Sequence, residues 1–224
     1  MENQKKPRSS VLNESVLDRF KGFWQGVVLQ PFIKLFIRLG ISPDTVTLVG
    51  TIGVCAGALI FFPQGMLWQG VAFITVFIFS DLIDGQMART IGRKDTFGAF
   101  LDSTLDRIAD GVIFAGLALY FAWVAEDRLY LCLALVCLVM GSVTSYARSR
   151  GEGLGFNAKT GIAERADRLV AILAMIFLGD VLDLPILYEV ALWLLAVAST
   201  VTVIQRILLV RRQALDAVKP DERH

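Results

Sequence analysis

Residues 81–106 read DLIDGQMARTIGRKDTFGAFLDSTLD, and four aspartates in this stretch lie in two pairs at helical spacing, Asp81 with Asp84 and Asp102 with Asp106. The segments on both sides are apolar enough to lie in lipid. An ionisable residue inside a membrane helix costs roughly 2.5–3.5 kcal/mol on insertion scales. Carboxylates grouped in such a setting therefore indicate a compensating cation or a chemical function.

The composition is that of a membrane protein. Of the 224 residues, 55% are hydrophobic, and the mean hydropathy of +0.60 does not suit a soluble domain. The single histidine is His224, at the very end of the sequence. A buried histidine is thereby excluded as a general base or zinc ligand. Any metal is expected to have oxygen ligands, which favours magnesium or manganese.

Apolar stretches of about 20 residues predict transmembrane helices. Six are present, at residues 44–62, 67–90, 96–123, 129–150, 163–180 and 186–210. Before them, apolar residues from Phe20 to Leu39 recur at helical spacing with basic residues between them, which predicts an interfacial amphipathic helix bent near Pro31. We expect this helix to end at Gly40, and Ser42 and Pro43 to begin the next one.

The predicted fold class is therefore an all-α integral membrane protein with six transmembrane helices after an amphipathic interfacial helix. We expect residues 1–40 to form a cytoplasmic N-terminus and the amphipathic juxtamembrane helix. Residues 41–212 are expected to form one six-helix domain, and residues 213–224 a solvated cytoplasmic tail.

Basic residues predict the orientation. Of the 22 lysines and arginines, only Arg128 falls in the three short loops at residues 63–66, 124–128 and 181–185. The other side holds the rest, so both termini and the aspartates are expected to face the cytoplasm of the cell membrane.

The two aspartate pairs suit a metal site. Residues three or four apart share one face of a helix, and two such pairs on neighbouring helices can converge. Four carboxylates would balance two divalent cations, which clamp the attacking and leaving oxygens of a phosphoryl-type displacement. Two alternatives remain at this point: ion pairs with Arg89, Arg107 and their neighbours, and a cation-transport site.

The spacing D-x2-D-G-x2-A-R-x8-G-x3-D-x3-D resembles the signature of the CDP-alcohol phosphatidyltransferase family. The eight fixed positions all match, and they are Asp81, Asp84, Gly85, Ala88, Arg89, Gly98, Asp102 and Asp106. The resemblance implies transfer of a phosphatidyl group from a CDP-activated lipid to an alcohol with release of CMP. It also implies six transmembrane helices, a preceding amphipathic helix and a homodimer.

The resemblance also implies roles for single residues. Asp81, Asp84 and Asp102 would bind one metal ion, and Asp81, Asp102 and Asp106 the second. Asp106 would also be the base that takes the proton of the acceptor hydroxyl. The CDP-lipid would contact residues of the motif and of two neighbouring segments, namely Asp44, Thr47, Gly85, Arg89, Asp95 and Thr96.

A second charged group lies at the cytoplasmic ends of the fourth and fifth predicted spans. Arg148, Arg150 and Arg168 occur there among carboxylates, with Ser145 one turn earlier. Several arginines near one pocket suit a phosphate, so we expect a phosphorylated acceptor. The alternative is ordinary flanking charge on the cytoplasmic side.

Residues 20–212 resemble the actinobacterial phosphatidylinositol phosphate synthases of this family, which implies inositol 1-phosphate as acceptor and CDP-diacylglycerol as donor. The sequence departs from them at Arg148, where they have lysine, and at Ala166, where mycobacterial members have proline. Glycerol 3-phosphate is the alternative acceptor. A membrane cation transporter and a non-catalytic scaffold are the alternatives from other functional classes.

Overall fold

Every regular element is helical in the part of the chain that this computed structural model describes, residues 29–92, 96–161 and 165–218. At residues 29, 32, 80–82, 84, 89 and 218 the description covers the backbone alone. The α-helices are α1 (Leu29–Arg38), α2 (Pro43–Phe61), α3 (Leu67–Thr90), α4 (Thr96–Trp123), α5 (Arg128–Gly153), α6 (Arg165–Val181) and α7 (Ile186–Val218). A short 3₁₀ helix, Phe62–Gln64, follows α2.

The turn between α1 and α2 is built as its sequence predicts. Helix α1 ends at Arg38, and Gly40 adopts the left-handed conformation with φ of 70°, which glycine reaches without steric cost. Ser42 is the N-cap of α2, and its hydroxyl accepts a hydrogen bond from the Thr45 amide at 3.2 Å. Pro43 occupies the first helical position, where its missing N–H costs nothing.

The six predicted spans each coincide with one of the helices α2 to α7. By length and apolarity, three of the described helical segments could cross a membrane: Pro43–Gln64, Arg128–Gly153 and Ile186–Ala217. Leu67–Phe79 is a shorter apolar segment. Charged residues shorten the apolar part of α3 and α4, and α6 has only 17 residues. The chain is thus an all-helical protein with membrane-crossing helices.

Helices α2 to α7 pack in a closed ring. Helix α2 contacts α3 and α4, α4 contacts α5, α5 contacts α7, α7 contacts α6, and α6 returns to α3. The core inside the ring is apolar and includes Phe62, Leu117, Phe121, Ile172 and Leu192, each at most 2% exposed. This core holds the charged helix ends in fixed relative positions.

Helices α2 and α4 approach closely at Gly116. A Cβ atom at this position would lie 2.5 Å from the carbonyl oxygen of Ala58, which is far inside van der Waals contact. Glycine is therefore required there by the backbone of the neighbouring helix rather than by its own conformation.

The C-terminal end differs from the sequence prediction, and the N-terminal part of the prediction lies outside the described residues. Helix α7 continues to Val218, although a solvated tail was expected from Gln213. Its last turns remain helical because Gln213 bonds to the loop after α5. At the other end, α1 forms the last part of the predicted amphipathic helix, and the part before residue 29 lies outside the described residues.

Candidate active site

A cavity with many arginines in its lining lies where residues of four helices meet. It has a volume of about 930 Å³ and is lined by residues of α4, α5, α6 and α7. Five arginines and one glutamate are its charged lining residues: Arg107, Arg148, Arg165, Arg168, Arg206 and Glu152. The excess of cations makes the cavity suited to an anionic ligand.

Asp102 and Asp106 lie one turn apart near the start of α4. The side chain of Asp102 is exposed. That of Asp106 is 18% exposed and forms an ion pair with Arg165, whose Nη1 lies 2.9 Å from its Oδ2. Arg107 approaches the same oxygen at 4.0 Å. Asp106 is therefore linked through Arg165 and Arg107 to the lining of the arginine-rich cavity.

The other half of the predicted metal site is described only in part. Positions 81, 84 and 89 belong to the last turns of α3, and the side chains of Asp81, Asp84 and Arg89 lie outside the described residues. Among the side chains that are described, no three carboxylates, thiols or imidazoles gather into a metal-binding group. Helix α3 ends at Thr90 and α4 begins at Thr96, so only a short connection separates the two halves of the motif.

Arg165 bridges two carboxylates of α4. Its Nε donates to both carboxylate oxygens of Asp110 at 3.0 Å, and its Nη2 lies 3.0 Å from Oδ1 of the same residue. Its Nη1 contacts Asp106. Asp110 follows Asp106 by four positions, so one guanidinium joins two successive turns of the helix.

Arg168 is a buried cation in the wall of the cavity. It is 4% exposed, and its Nη2 donates a long hydrogen bond of 3.5 Å to the Gly141 carbonyl oxygen. Its Nη1 is buried with no hydrogen-bond partner among the described residues. Burying a polar group without a partner is costly, so this nitrogen marks a place where a ligand atom would be stabilising.

Arg206 fastens α7 to the rest of the site. It is 5% exposed, its Nε donates to the Thr160 carbonyl oxygen at 2.8 Å, and its Nη1 donates to the Thr144 carbonyl oxygen. The loop of residues 154–161 is thereby joined to α5 and α7.

The acceptor residues predicted from the sequence separate into two groups. Ser145, Arg148 and Arg168 line the cavity, whereas the exposed Arg150 does not. Residues two apart lie on different faces of a helix, and Arg150 is not among the residues that line the cavity. Ser145 accepts a hydrogen bond from Arg107, and Arg148 pairs with Glu152 at 3.2 Å.

The predicted CDP-lipid residues lie near the ends of α2, α3 and α4. Asp44 is in the first turn of α2, and Thr47 is buried with its hydroxyl donating to the Pro43 carbonyl oxygen at 3.1 Å. Gly85 has open space where a side chain would be. Thr96 begins α4, and Asp95 lies outside the described residues.

A small apolar cluster holds two of these segments together. Ile33, Val46 and Met87 are buried against one another and belong to α1, α2 and α3. The contact fixes the first turn of α2 beside the last turns of α3, which brings Asp44 and Thr47 to the same end of the molecule as Gly85.

Three arginines that line the cavity were not predicted as site residues from the sequence: Arg107, Arg165 and Arg206. Arg206 carried a usable signal, because an arginine within the apolar stretch of a predicted membrane helix indicates a function. Arg107 and Arg165 carried no such signal. Each directly follows an acidic residue in the sequence, so its charge could be attributed to an ordinary ion pair.

Known proteins resemble this chain in both sequence and fold. The family model for CDP-alcohol phosphatidyltransferase matches residues 40–204. The chain belongs to the CDP-alcohol phosphatidyltransferase family. The match covers α2 to α6 and much of α7, and therefore all four helices of the cavity.

Relatives in this phosphatidyltransferase family are similar over most of their length. The chain is 46% identical over 212 residues to the phosphatidylinositol phosphate synthase of Streptomyces avermitilis, covering 92% of this chain and 87% of that protein. It is also 46% identical over 208 residues to the synthase of that name from Cutibacterium acnes, covering 88% and 98%.

Solved structures of another family member have the same fold. The phosphatidylinositol phosphate synthase of Mycobacterium tuberculosis with CDP-DAG bound aligns with a TM-score of 0.78 at 39% identity, covering 82% of this chain and 93% of that one. A structure of that synthase in complex with manganese and citrate also aligns at 0.78, with 40% identity over 81% and 88%.

Proposed function

We propose that this phosphatidyltransferase moves the phosphatidyl group of CDP-diacylglycerol to inositol 1-phosphate, giving phosphatidylinositol phosphate and CMP. Family membership supports the reaction class, and the relatives named above support both substrates. The observation in this chain that carries the choice of acceptor is Arg168, a buried guanidinium whose Nη1 lacks a partner among the described residues in the cavity wall.

The cavity suits a phosphorylated rather than a neutral acceptor. Arg168 contributes a desolvated charge, and Arg148 lies on the opposite helix, α5, where its guanidinium can pair with phosphate oxygens. Ser145 and the arginines of α4 and α6 surround the remaining volume of about 930 Å³, which lies within the range of small-molecule sites. The volume leaves room for an inositol ring beside the phosphate, with hydroxyl and arginine side chains in the lining to bond its hydroxyl groups.

We propose a divalent-metal site between the ends of α3 and α4. Asp81, Asp84 and Asp102 would hold one ion, and Asp81, Asp102 and Asp106 the second, with Mg²⁺ or Mn²⁺ suited to an all-carboxylate set. The exposed Asp102 and partly buried Asp106, one turn apart on α4, fit this assignment. When bound, the two ions neutralise phosphate charge and hold the attacking and leaving oxygens.

The chain's own residues then supply the remaining steps. The acceptor hydroxyl oxygen attacks the phosphorus that carries the diacylglycerol, the bond from that phosphorus to the CMP oxygen breaks, and CMP leaves. Asp106 takes the hydroxyl proton. Its link through Arg165 to the lining of the cavity supports this role. Asp44, Thr47, Gly85, Arg89, Asp95 and Thr96 are proposed to bind the CDP-lipid, and Ser145, Arg148 and Arg168 the acceptor phosphate. The role of Arg150 in binding this phosphate stays a prediction from the family resemblance, since its side chain does not line the cavity.

The membrane arrangement is proposed to follow the family pattern. Helices α2 to α7 would be six spans in the cell membrane, preceded by an interfacial helix, with both termini and the site in the cytoplasm. Exposed apolar side chains along α2, α5 and α7, such as Ile52, Val139 and Leu194, support contact with lipid. A homodimer is proposed from the family resemblance, and cross-linking in native membranes tests it.

An acceptor panel tests the function. Purified protein would be supplied with CDP-diacylglycerol, Mg²⁺ and radiolabelled inositol 1-phosphate, glycerol 3-phosphate or free inositol. We expect label in lipid, with CMP release, for inositol 1-phosphate. Arg168→Gln should raise the KM for this acceptor by roughly 10- to 100-fold, since a charge-assisted pair is worth about 1.5–3 kcal/mol. Turnover with glycerol 3-phosphate alone would refute the inositol assignment.

A further inference from the structure

Arg165 contacts both Asp110 and Asp106. Neither Arg165 nor Asp110 has a role in the reaction proposed above. Arg165 is the first residue of α6, and both carboxylates belong to α4. The side chains are 28%, 18% and 13% exposed for Arg165, Asp106 and Asp110. Because these groups are largely removed from water, their ion pairs are screened less than surface pairs.

Asp110 fixes the guanidinium from one side. The Nε atom of Arg165 lies 3.0 Å from both oxygens of Asp110, and Nη2 lies 3.0 Å from Oδ1. A guanidinium is planar and rigid, so fixing two of its nitrogens also fixes the direction of the third. That third nitrogen, Nη1, is the one that contacts Oδ2 of Asp106 at 2.9 Å.

We infer that Arg165, anchored by Asp110, is a positioning residue that sets the orientation of the Asp106 carboxylate toward the acceptor. The inference rests on the proposed function, in which Asp106 takes the proton of the acceptor hydroxyl. Proton transfer requires the base within hydrogen-bond reach of the proton. Holding one carboxylate oxygen at a fixed place limits rotation of the whole group.

Arg165 differs in this respect from the other cavity arginines. Its charge is balanced by two carboxylates at short distance, so it adds little to the attraction of an acceptor phosphate. Arg168 has no ion pair among the described residues and is the stronger candidate for that contact. Loss of Arg165 should therefore lower kcat, whereas loss of Arg168 should raise the acceptor KM.

The test uses Arg165→Lys and Asp110→Asn in the full chain, with Arg211→Lys and Asp216→Asn on the exposed surface of α7 as matched controls. Steady-state kinetics give kcat and the acceptor KM at saturating CDP-diacylglycerol. Binding of Mn²⁺ alone, followed by the loss of the free-ion signal in electron paramagnetic resonance, reports on the aspartate site independently of activity.

We expect each site variant to lower kcat by about 10- to 100-fold, the scale of a misplaced reacting group. The acceptor KM should stay within about threefold, since no phosphate contact is removed, and Mn²⁺ should still bind, since Asp81, Asp84 and Asp102 are unchanged. The double variant should be no worse than the poorer single variant by more than about threefold, because both changes break one connected unit. The two controls should match the original protein.

Four results would overturn the inference. Unchanged kcat would show that Asp106 needs no support, and a raised acceptor KM alone would make Arg165 a phosphate ligand. Complete loss of Mn²⁺ binding together with a lower unfolding temperature than in the controls would mean that the ion pairs only hold the fold. Effects that multiply in the double variant would separate Asp110 from Arg165.

Failure of the proposed acceptor is distinguishable from failure of this inference. The original protein is assayed in parallel with inositol 1-phosphate and with glycerol 3-phosphate. If only glycerol 3-phosphate reacts, the proposed acceptor is wrong, and the same variants measured with glycerol 3-phosphate still decide the role of Arg165.

Discussion

Gln213 of α7 holds the backbone of Asn157 with both ends of its side-chain amide. Its Oε1 accepts from the Asn157 amide at 2.9 Å, and its Nε2 donates to the Asn157 carbonyl oxygen at 2.7 Å. This pairing imitates a strand contact and fastens the loop of residues 154–161 to α7. The loop leads toward Arg165 and Arg168, so its position bears on the acceptor cavity.

Gln213→Leu should loosen the loop without removing volume. Two hydrogen bonds of about 0.5–1.5 kcal/mol each would be lost. We expect trypsin to cleave after the exposed Lys159 roughly tenfold faster, in line with easier local opening, and the acceptor KM to rise. Gln64→Leu, at the opposite end of the molecule, is the matched control. Equal cleavage rates in the two variants would show that the Asn157 contact is dispensable.

Arg206→Met should destabilise the protein. The change leaves the carbonyl oxygens of Thr144 and Thr160 without this donor in a buried setting, at about 1–3 kcal/mol per unsatisfied group. We expect a lower unfolding temperature in detergent by intrinsic fluorescence, together with loss of transfer activity. Arg211→Met, on the exposed surface of the same helix, controls for the apolar substitution. An unfolding temperature equal to that of the control would contradict the structural role.

Gly116→Ala should separate α2 from α4. The new methyl group would meet the Ala58 carbonyl oxygen at 2.5 Å, and overpacking of this kind costs about 1–3 kcal/mol. Gly111→Ala is the matched control on the same helix, because nothing lies within 4 Å of its added Cβ. That control should be neutral or stabilising by up to about 1 kcal/mol. Thermal unfolding of both variants measures the difference, and equal stabilities would refute the close contact.

Gly85→Leu should impair binding of the CDP-lipid while leaving the fold intact. A Cβ atom added at Gly85 has no described atom within 4 Å, so we expect the steric conflict of a larger side chain to be mainly with the ligand. We expect the KM for CDP-diacylglycerol to rise by about tenfold or more, with an unchanged unfolding temperature. Gly153→Leu, also next to open space, is the control. An unaltered KM would remove Gly85 from the nucleotide site.

Asp102→Asn should abolish metal-dependent release of CMP. Asparagine keeps the shape but removes the negative charge that a divalent ion requires, and we expect a loss of about 100-fold or more. EDTA should inactivate the original protein, and added Mg²⁺ or Mn²⁺ should restore it. Asp167→Asn, on the exposed start of α6, is the control. Retained activity in Asp102→Asn would reject the proposed metal site.

The positions of the helices could be predicted from the sequence because apolar runs and their breaks decide them. Helices α3 and α4 have the predicted bounds, and the cap at Ser42 and the turn at Gly40 were readable from single residue types. The end of α7 could not be predicted in this way. The helix extends to Val218, and Asn157, which bonds to Gln213 in its last turns, lies 56 positions earlier in the chain.

The site was predictable to the extent that its residues follow a linear motif. The spacing of Asp102 and Asp106 placed them on one face of α4. The pairing of Arg165 with Asp106 and Asp110 depends on how α6 docks, which no local pattern encodes. For the same reason the sequence could not show that Arg148 lines the cavity whereas Arg150 does not.

The contacts of Arg206 also impose an order on biosynthesis. The acceptor cavity takes walls from α4, α5 and α6, and α7 supplies Arg206, which both lines the cavity and ties Thr144 to Thr160. A nascent chain can therefore present its aspartate motif to the membrane well before it can enclose an acceptor. We therefore expect the polypeptide to become able to bring both substrates together only after α7 has been synthesised and has packed against α5.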